Sequence, residues 1–271
     1  ILFGLNGYSN PAILTYLKQP NLYFTWNDNN SGLNNVSRYG LFAALPYFGF
    51  SMVDYKNNDL SINDYKLSAA FGSSALSFGF DYGWSTGDVN YYNRSNIFTL
   101  GAIYRPADFL SFSLIGNLPT DNEKEGIFGI GIRPFGSYRF TLFGDYLFAK
   151  DIKPEEIRWS AGATIEPING LRFVGRYFEG QSFNVAVQLG LGMLGFSTIA
   201  HYDEDAKRSY NTYGIRIGAD DRNLLRIFSS DDNYVSMNLQ GGIKYQNFKL
   251  FDNSKTLFNF LEQLDAVIND N

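Results

Sequence analysis

Residues 180–202 read G-Q-S-F-N-V-A-V-Q-L-G-L-G-M-L-G-F-S-T-I-A-H-Y, and their period decides the fold. The run carries no Asp, Glu, Lys or Arg, and by length alone it would span a bilayer as a helix, which takes about 20 apolar residues. Its glycines and polar residues argue against that, and the alternation settles it. Phe183, Val185, Val187, Leu189 and Leu191 fall on one side of an extended chain. Asn184, Ala186, Gln188 and Gly190 fall on the other. The chain turns around Gly190–Gly192, and Leu194, Phe196, Thr198, Ala200 and Tyr202 continue the apolar set. Period two around a glycine turn predicts a β-hairpin with one apolar face and one small or polar face.

The same alternation fills most of the chain. Leu76, Phe78, Phe80, Tyr82 and Trp84 interleave with Ala75, Ser77, Gly79, Asp81 and Gly83. Comparable runs cover 98–104, 138–148, 157–165, 171–177 and 212–217. Segment counting predicts about fourteen strands, an even number that suits a barrel closed by antiparallel neighbours. They run over 20–28, 37–45, 46–56, 62–73, 74–86, 94–105, 108–117, 124–134, 137–149, 155–166, 170–178, 182–191, 192–202 and 208–219. Turn signals separate them, among them Asn57-Asn58-Asp59, Gly87-Asp88, Arg105-Pro106, Pro134-Phe135-Gly136 and Pro167-Ile168-Asn169-Gly170.

Alternation of this kind arises in a soluble sandwich, apolar side in, or in an outer-membrane barrel, apolar side toward lipid. Three features favour the membrane. The runs are about 9–12 residues long, the length that crosses a bilayer at a tilt. Their polar faces are rich in Gly, Ser, Ala and Thr, where a water-facing sheet surface carries many more charges. Aromatic residues gather near strand ends (Tyr23, Trp26, Tyr82, Trp84, Tyr104, Tyr146, Phe148, Trp159, Tyr177, Tyr202), as interfacial girdles do. Composition agrees: of 271 residues, 17% are aromatic and only 18% are charged, against about 25% in an ordinary soluble domain. The fold expected is therefore an all-β transmembrane antiparallel barrel of the bacterial outer membrane, with lipid or lipopolysaccharide against its wall.

Both ends break the pattern. Residues 1–19 hold Asn10, Pro11 and Ala12 followed by Ile13, Leu14 and Leu17, which reads as a short helix opened at a proline and as a plug segment. The barrel is expected over 20–222. Residues 223–271 form a third region, with a strand expected over Tyr234–Lys244. An amphipathic helix is expected over Ser254–Asn269, with Leu257, Phe260, Leu261, Leu264 and Ile268 on one face. No signal peptide is visible and the first residue is not Met, as in a processed, exported chain. Short and long connections alternate, and the short ones are expected on the periplasmic side.

The chemistry on offer is sparse. With no Cys and one His, the chain has no disulfide framework, no thiol nucleophile and little material for a Cys/His metal site or a Ser-His-Asp triad. A net charge of −5 speaks against a nucleic-acid partner. No catalytic residue, metal ligand or cofactor is expected. The alternation places Arg38, Lys66, Asp81, Arg133, Arg139, Asp145, Arg158, Arg172, Arg176 and Arg216 toward the lumen. Such a set either binds and passes anions or amphiphiles, or forms internal pairs that brace the wall and clamp the plug. His201 ends a strand beside Asp203, Glu204 and Asp205, a place where a lone histidine is usually idle. The acidic turns at 203–205, 220–221 and 231–232 lack the spacing of an EF-hand loop and read as solvated turns.

Two families come to light from particular residues. Gly7–Leu17, G-Y-S-N-P-A-I-L-T-Y-L, resembles the N-terminal segment of the long-chain fatty-acid-transporter-like outer-membrane barrels, which implies fourteen strands and a plug inside them. Tyr234–Asn271 is similar to the opening of the signal peptide peptidase A (protease IV) domain: Leu239, Gly242 and Ile243 match its strand end, and Leu257, Leu261, Leu264, Ala266 and Asp270 its helix. That resemblance implies a serine peptidase domain following Asn271, with the Ser-Lys dyad in that further part and no catalytic role here. Three functions follow as expectations. In the first, a non-catalytic barrel anchors or serves a periplasmic peptidase-like domain. The second is a transporter of hydrophobic or amphipathic molecules, and the third a structural subunit whose loops bind other envelope proteins.

Overall fold

Aromatic and β-branched residues at every second position favour strands, because extended backbone sends successive side chains to opposite faces. A computed structural model describes residues 6–28, 38–57, 60–92, 94–121, 124–137, 139–149 and 158–218. The strands are Asn21–Asn27 (β1), Arg38–Leu45 (β2), Phe48–Asn57 (β3), Leu60–Gly72 (β4), Leu76–Gly87 (β5), Ile97–Ala107 (β6) and Leu110–Pro119 (β7). They continue as Glu125–Ile132 (β8), Phe140–Ala149 (β9), Arg158–Ile168 (β10), Leu171–Phe178 (β11), Phe183–Leu191 (β12), Leu194–Tyr202 (β13) and Arg208–Gly218 (β14). Each pairs antiparallel with its sequence neighbours, and β1 pairs with β14 from Asn21↔Gly218 to Asn27↔Thr212. The sheet closes on itself as a barrel of fourteen strands, so no edge strand is left unpaired.

Every strand expected within 20–222 is present, with ends shifted by a few residues. The two proline signals were read as turns, but Pro106 and Pro167 lie inside the ends of β6 and β10. Each sits at a register shift, between Tyr104 and Ala107 and between Ile165 and Ile168. Proline cannot donate to the ladder, so a bulge is where a strand tolerates it.

The two faces of the wall differ as the alternation requires. On β5, Phe78, Phe80 and Tyr82 point outward, Phe80 with 52% of its surface exposed, while Ser77 and Asp81 are fully buried inside. Across the ladder Phe80 pairs with Leu100 and Asp81 with Thr99, so an apolar row outside lies back to back with a polar row inside. Aromatic stacks mark the outer rim. Trp26 lies 5.7 Å from both Phe24 and Tyr213, and Trp84 stacks on Tyr65 at 5.5 Å and on Tyr82 at 5.9 Å. Tyr23 departs from the expected girdle. It faces inward, 4% exposed, with its hydroxyl 2.8 Å from Ser197 Oγ.

Before β1 the chain folds back onto the inner face. Pro11–Tyr16 is a short 3-10 helix, with Pro11 supplying a preset φ at its start and Asn10 as N-cap, its side chain accepting from the Ala12 amide at 3.0 Å. The helix packs on β4, β5 and β6 and touches β3. The boundary at 222/223 and the strand and helix expected beyond it fall outside the described residues.

Candidate functional site

The chemistry of this chain is gathered on the inner face, in two groups. The first lies under the N-terminal segment. Lys66 on β4 is fully buried, and its Nζ donates to Tyr8 O (3.0 Å), Thr99 Oγ1 (3.2 Å) and Asp81 Oδ2 (3.3 Å). Thr99 Oγ1 in turn donates to Asn117 Oδ1 at 3.1 Å. The ammonium also sits 4.8 Å from the centre of the Tyr8 ring. One lysine therefore ties β4, β5 and β6 to the segment that precedes β1.

Sequence makes that approach possible. Gly79 and Gly101 occupy inward positions directly beneath the helix. A Cβ added at Gly79 would lie 2.4 Å from Ala12 N and from Pro11 C, and one at Gly101 would lie 2.2 Å from Asn10 Oδ1. Only a residue without a side chain lets the two backbones meet there. Leu14 packs on Ala44 and Ala70, and Ala12 and Ile13 pack on Ile103. Asn6 anchors the far end, its Nδ2 donating to Phe42 O at 2.8 Å and to Asn21 O at 3.3 Å.

The opposite mouth of the same half is also covered. Tyr92, in the connection after β5, meets the Tyr55 ring edge-on at 5.4 Å. Arg94 donates to Asp64 Oδ2 at 2.8 Å, and Ser85 donates to Asp64 Oδ1 at 2.7 Å. Burial, reinforced by Tyr55, pushes the Tyr92 phenol well above its ordinary pKa.

The second group lines β9 to β14. Arg176 pairs with Asp145 and donates to Ser160 Oγ at 2.9 Å, between the rings of Phe143 and Phe178. Arg172 donates to Glu166 Oε2 at 3.2 Å. Arg216 is buried on β14, where its strand position pairs with Gly195 and Tyr23. Gln188, Ser197 and Thr212 complete a polar inner surface on β12, β13 and β14.

Of the ten charges expected in the lumen, eight are buried on or beside the inner wall: Arg38, Lys66, Asp81, Arg133, Asp145, Arg172, Arg176 and Arg216. Arg38 lies 4.7 Å from the centre of the Tyr55 ring. Arg158 is half-buried at the first residue of β10, paired with Glu179 at 3.0 Å near the rim. Arg139 is a correction. Strand β9 starts one residue later, at Phe140, so Arg139 belongs to the preceding connection and its side chain is exposed. His201 is a second. It is 1% exposed, stacked on Tyr210 at 4.0 Å, with Nε2 3.1 Å from Thr212 Oγ1.

Sequence reasoning missed three buried acids, Asp64, Glu125 and Glu166. Asp64 shares the phase of Ile62, Lys66 and Ser68, which was signal enough. Glu166 was hidden because the strand was ended at that residue. Among the described residues, no group of His, Cys, Asp or Glu has the size and geometry to hold a metal ion.

A closed antiparallel barrel with an apolar exterior, aromatic rim and polar interior is a membrane-spanning barrel, since closure satisfies every backbone group within lipid. Solved structures similar to this chain are porins. A triple mutant of Rhodopseudomonas blastica porin aligns with TM-score 0.42 at 6% identity, over 74% of this chain and 98% of that one. The KdgM porin aligns with TM-score 0.39 at 10% identity, over the same shares, 74% and 98%. At this degree of likeness the membrane class rests on the chain's own strands and faces. No family model matches the sequence, and no curated protein matches it. Both family resemblances drawn from the sequence remain resemblances.

Proposed function

We propose that this chain is an outer-membrane transport barrel whose N-terminal segment occupies part of the lumen as a plug, leaving a polar path along β7 to β14 for small anionic or amphipathic solutes. The observation that carries it is the uneven lining of the lumen. The helix 11–16 packs on β3 to β6, and Tyr92 and Arg94 reach Tyr55 on β3 and Asp64 on β4, while the other wall presents Ser111, Ser113, Thr141, Thr164, Arg172, Arg176, Gln188 and Arg216. These side chains are buried, so passage requires them to move aside, and the arginines among them favour anions. The barrel lies in a bacterial outer membrane with its short connections, such as 46–47, 108–109 and 192–193, on the periplasmic side.

A wholly hydrophobic cargo fits less well, because the inner face of β9 to β14 is mostly polar and the large apolar groove of the molecule faces outward. Anchoring a peptidase-like domain takes second place. It rests on residues 234–271, outside the described residues, and no observation of the barrel favours it. An enzymatic role is set aside for this chain: its lone histidine is held in a stack on Tyr210 inside the wall. The test is reversal potential across planar bilayers holding the full chain in a salt gradient. Anion-selective conductance supports the reading, and an electrically silent barrel that also excludes small anions from liposomes contradicts it.

A further inference from the structure

Two closures enter the barrel from opposite mouths and fasten to neighbouring residues of one strand. From one mouth comes the connection that follows β5. Asp88 fixes its start: Asp88 Oδ2 accepts from the Ser61 amide at 2.7 Å, and the Asp88 amide donates to Ser61 O at 2.8 Å. Tyr92 then meets Tyr55, and Arg94 pairs with Asp64 on β4, both side chains of that pair being at most 2% exposed. From the other mouth comes the N-terminal segment. Tyr16 Oη donates to Ser74 O at 3.1 Å and Leu14 O accepts from the Tyr47 amide at 3.3 Å, both at short connections. Deeper in the lumen, Tyr8 O accepts from Lys66 at 3.0 Å. Asp64 and Lys66 lie two residues apart on the inward face of β4, about 7 Å along the strand. Lys66 continues to Asp81, and the Tyr8 phenol interacts electrostatically with Asp64, Arg94 and Asp81.

We infer that the connection carrying Asp88, Tyr92 and Arg94 and the N-terminal segment are coupled gates, joined by the buried charges of Arg94, Asp64, Lys66 and Asp81. The formal charges of these four cancel, so lifting Arg94 leaves an excess of one negative charge. Asp64 then stays buried beside Lys66. Charges in a low-dielectric interior interact far more strongly than in water, so Lys66 is drawn toward a second carboxylate and away from Tyr8 O. Withdrawing Tyr8 acts in the converse direction. Lys66 loses an acceptor, water enters the network, and the attraction between Arg94 and Asp64 weakens. Coupling between two sites is reciprocal, so a perturbation at either mouth is felt at the other. An anion that draws Arg94 off Asp64 at one mouth thereby loosens the segment that fills the far end. The inference goes beyond the transport reading, and its test records no conductance, so the two stand or fall separately.

The test perturbs one mouth and reads the other. The full chain in lipid nanodiscs, open to protease at both mouths, is treated with trypsin, and cleavage after Arg94 is followed by peptide mass. In the parent that bond is protected, because the Arg94 side chain is buried and paired. Leu14→Ala removes the anchor that packs on Ala44 and Ala70 at the far end. It should speed cleavage after Arg94 by about 5–150-fold, the usual range for coupling between sites. Gly49→Ala, whose new Cβ would lie 2.9 Å from Asn6 O, replaces it if Leu14→Ala assembles poorly. Leu147→Ala, an equally large inward truncation on β9 and away from both closures, should leave cleavage unchanged. With Lys66→Met and Asp81→Leu present, which remove the joining charges as a pair, Leu14→Ala should lose most of its effect. Cleavage at the parent rate in Leu14→Ala overturns the inference. So does equal acceleration by Leu147→Ala, which marks general loosening. An undiminished effect of Leu14→Ala without Lys66 and Asp81 equally overturns it, because the charges then carry no coupling.

Discussion

Substituting Gly79 should release the N-terminal segment from the lumen while leaving the barrel wall paired. An alanine Cβ there lands 2.4 Å from Ala12 N and from Pro11 C, and ordinary contact starts at 3.4 Å. Both sides of the clash are backbone, and β5 is held by ladders to β4 and β6. The segment must therefore retreat by about 1 Å, enough to forfeit a quarter to a half of each dispersion contact it makes there. Overpacking of this kind costs about 1–3 kcal/mol. What opposes release is the burial of Ile13 and Leu14, about 1.5–3 kcal/mol each, and the Asn6 and Lys66 hydrogen bonds, about 0.5–1.5 kcal/mol each. Gly79→Ala should weaken docking without abolishing it, and Gly79→Leu, three carbons larger, should expel the segment. Ser9→Cys, nearly isosteric and at a buried position, reports the change as the rate of labelling by an aqueous maleimide. At tenfold per 1.4 kcal/mol, Gly79→Ala should speed labelling by roughly 5–150-fold. Gly116→Ala, where a new Cβ meets nothing within 4 Å, should not change it. Labelling of Ser9→Cys that is equally slow in Gly79→Leu and in the parent would refute the placement of the segment.

Other perturbations separate the parts of the account. Lys66→Met strands Asp81 without its cation and should destabilise the folded barrel by about 3–5 kcal/mol, while adding Asp81→Leu should recover much of that loss; urea titration in lipid checks both. Leu100→Arg, on the lipid face of β6, should cost about 2–4 kcal/mol of insertion, whereas Phe135→Arg, in a connection, should cost about 0–1 kcal/mol; folding into vesicles of both variants is the assay. The Tyr92 phenol is held above its ordinary value of 10.0 by burial and by Tyr55, so the folded state keeps that proton more tightly than the unfolded chain. The sign follows: its contribution is fully present below pH 10 and fades as pH rises, so proteolysis at the 88–94 connection should accelerate above pH 10 and Tyr92→Phe should remove that dependence.

Strand existence, number and facing were legible because one signal, period two, runs along most of the chain, interrupted at register shifts such as those beside Pro106 and Pro167. Phe183, Val185 and Val187 opposite Asn184, Ala186 and Gln188 already give the two faces of that strand. Most of the lumen charges were legible for the same reason, since a charge in phase with Ser and Gly can face only inward. What failed lay at a strand end, where phase loses meaning: Arg139 was expected inside a strand beginning at 137, and β9 begins at Phe140. Tyr23 was misjudged because aromatic rings serve both the membrane rim and the barrel interior, and composition does not tell them apart. The pairing of Lys66 with Tyr8 O, and the seat of Ala12 on Gly79, join residues far apart in the chain, and no local pattern encodes them.

The central claim is that solute passes through the lumen along the β7–β14 wall. Ser113 lies buried on the inner face of β7, in a chain without cysteine. The direct measurement is the conductance of the full chain carrying Ser113→Cys, recorded in a planar bilayer before and after a bulky thiol reagent is added. A stepwise fall in conductance that reducing agent reverses is the predicted result. Conductance unchanged after complete modification would contradict the lumen path.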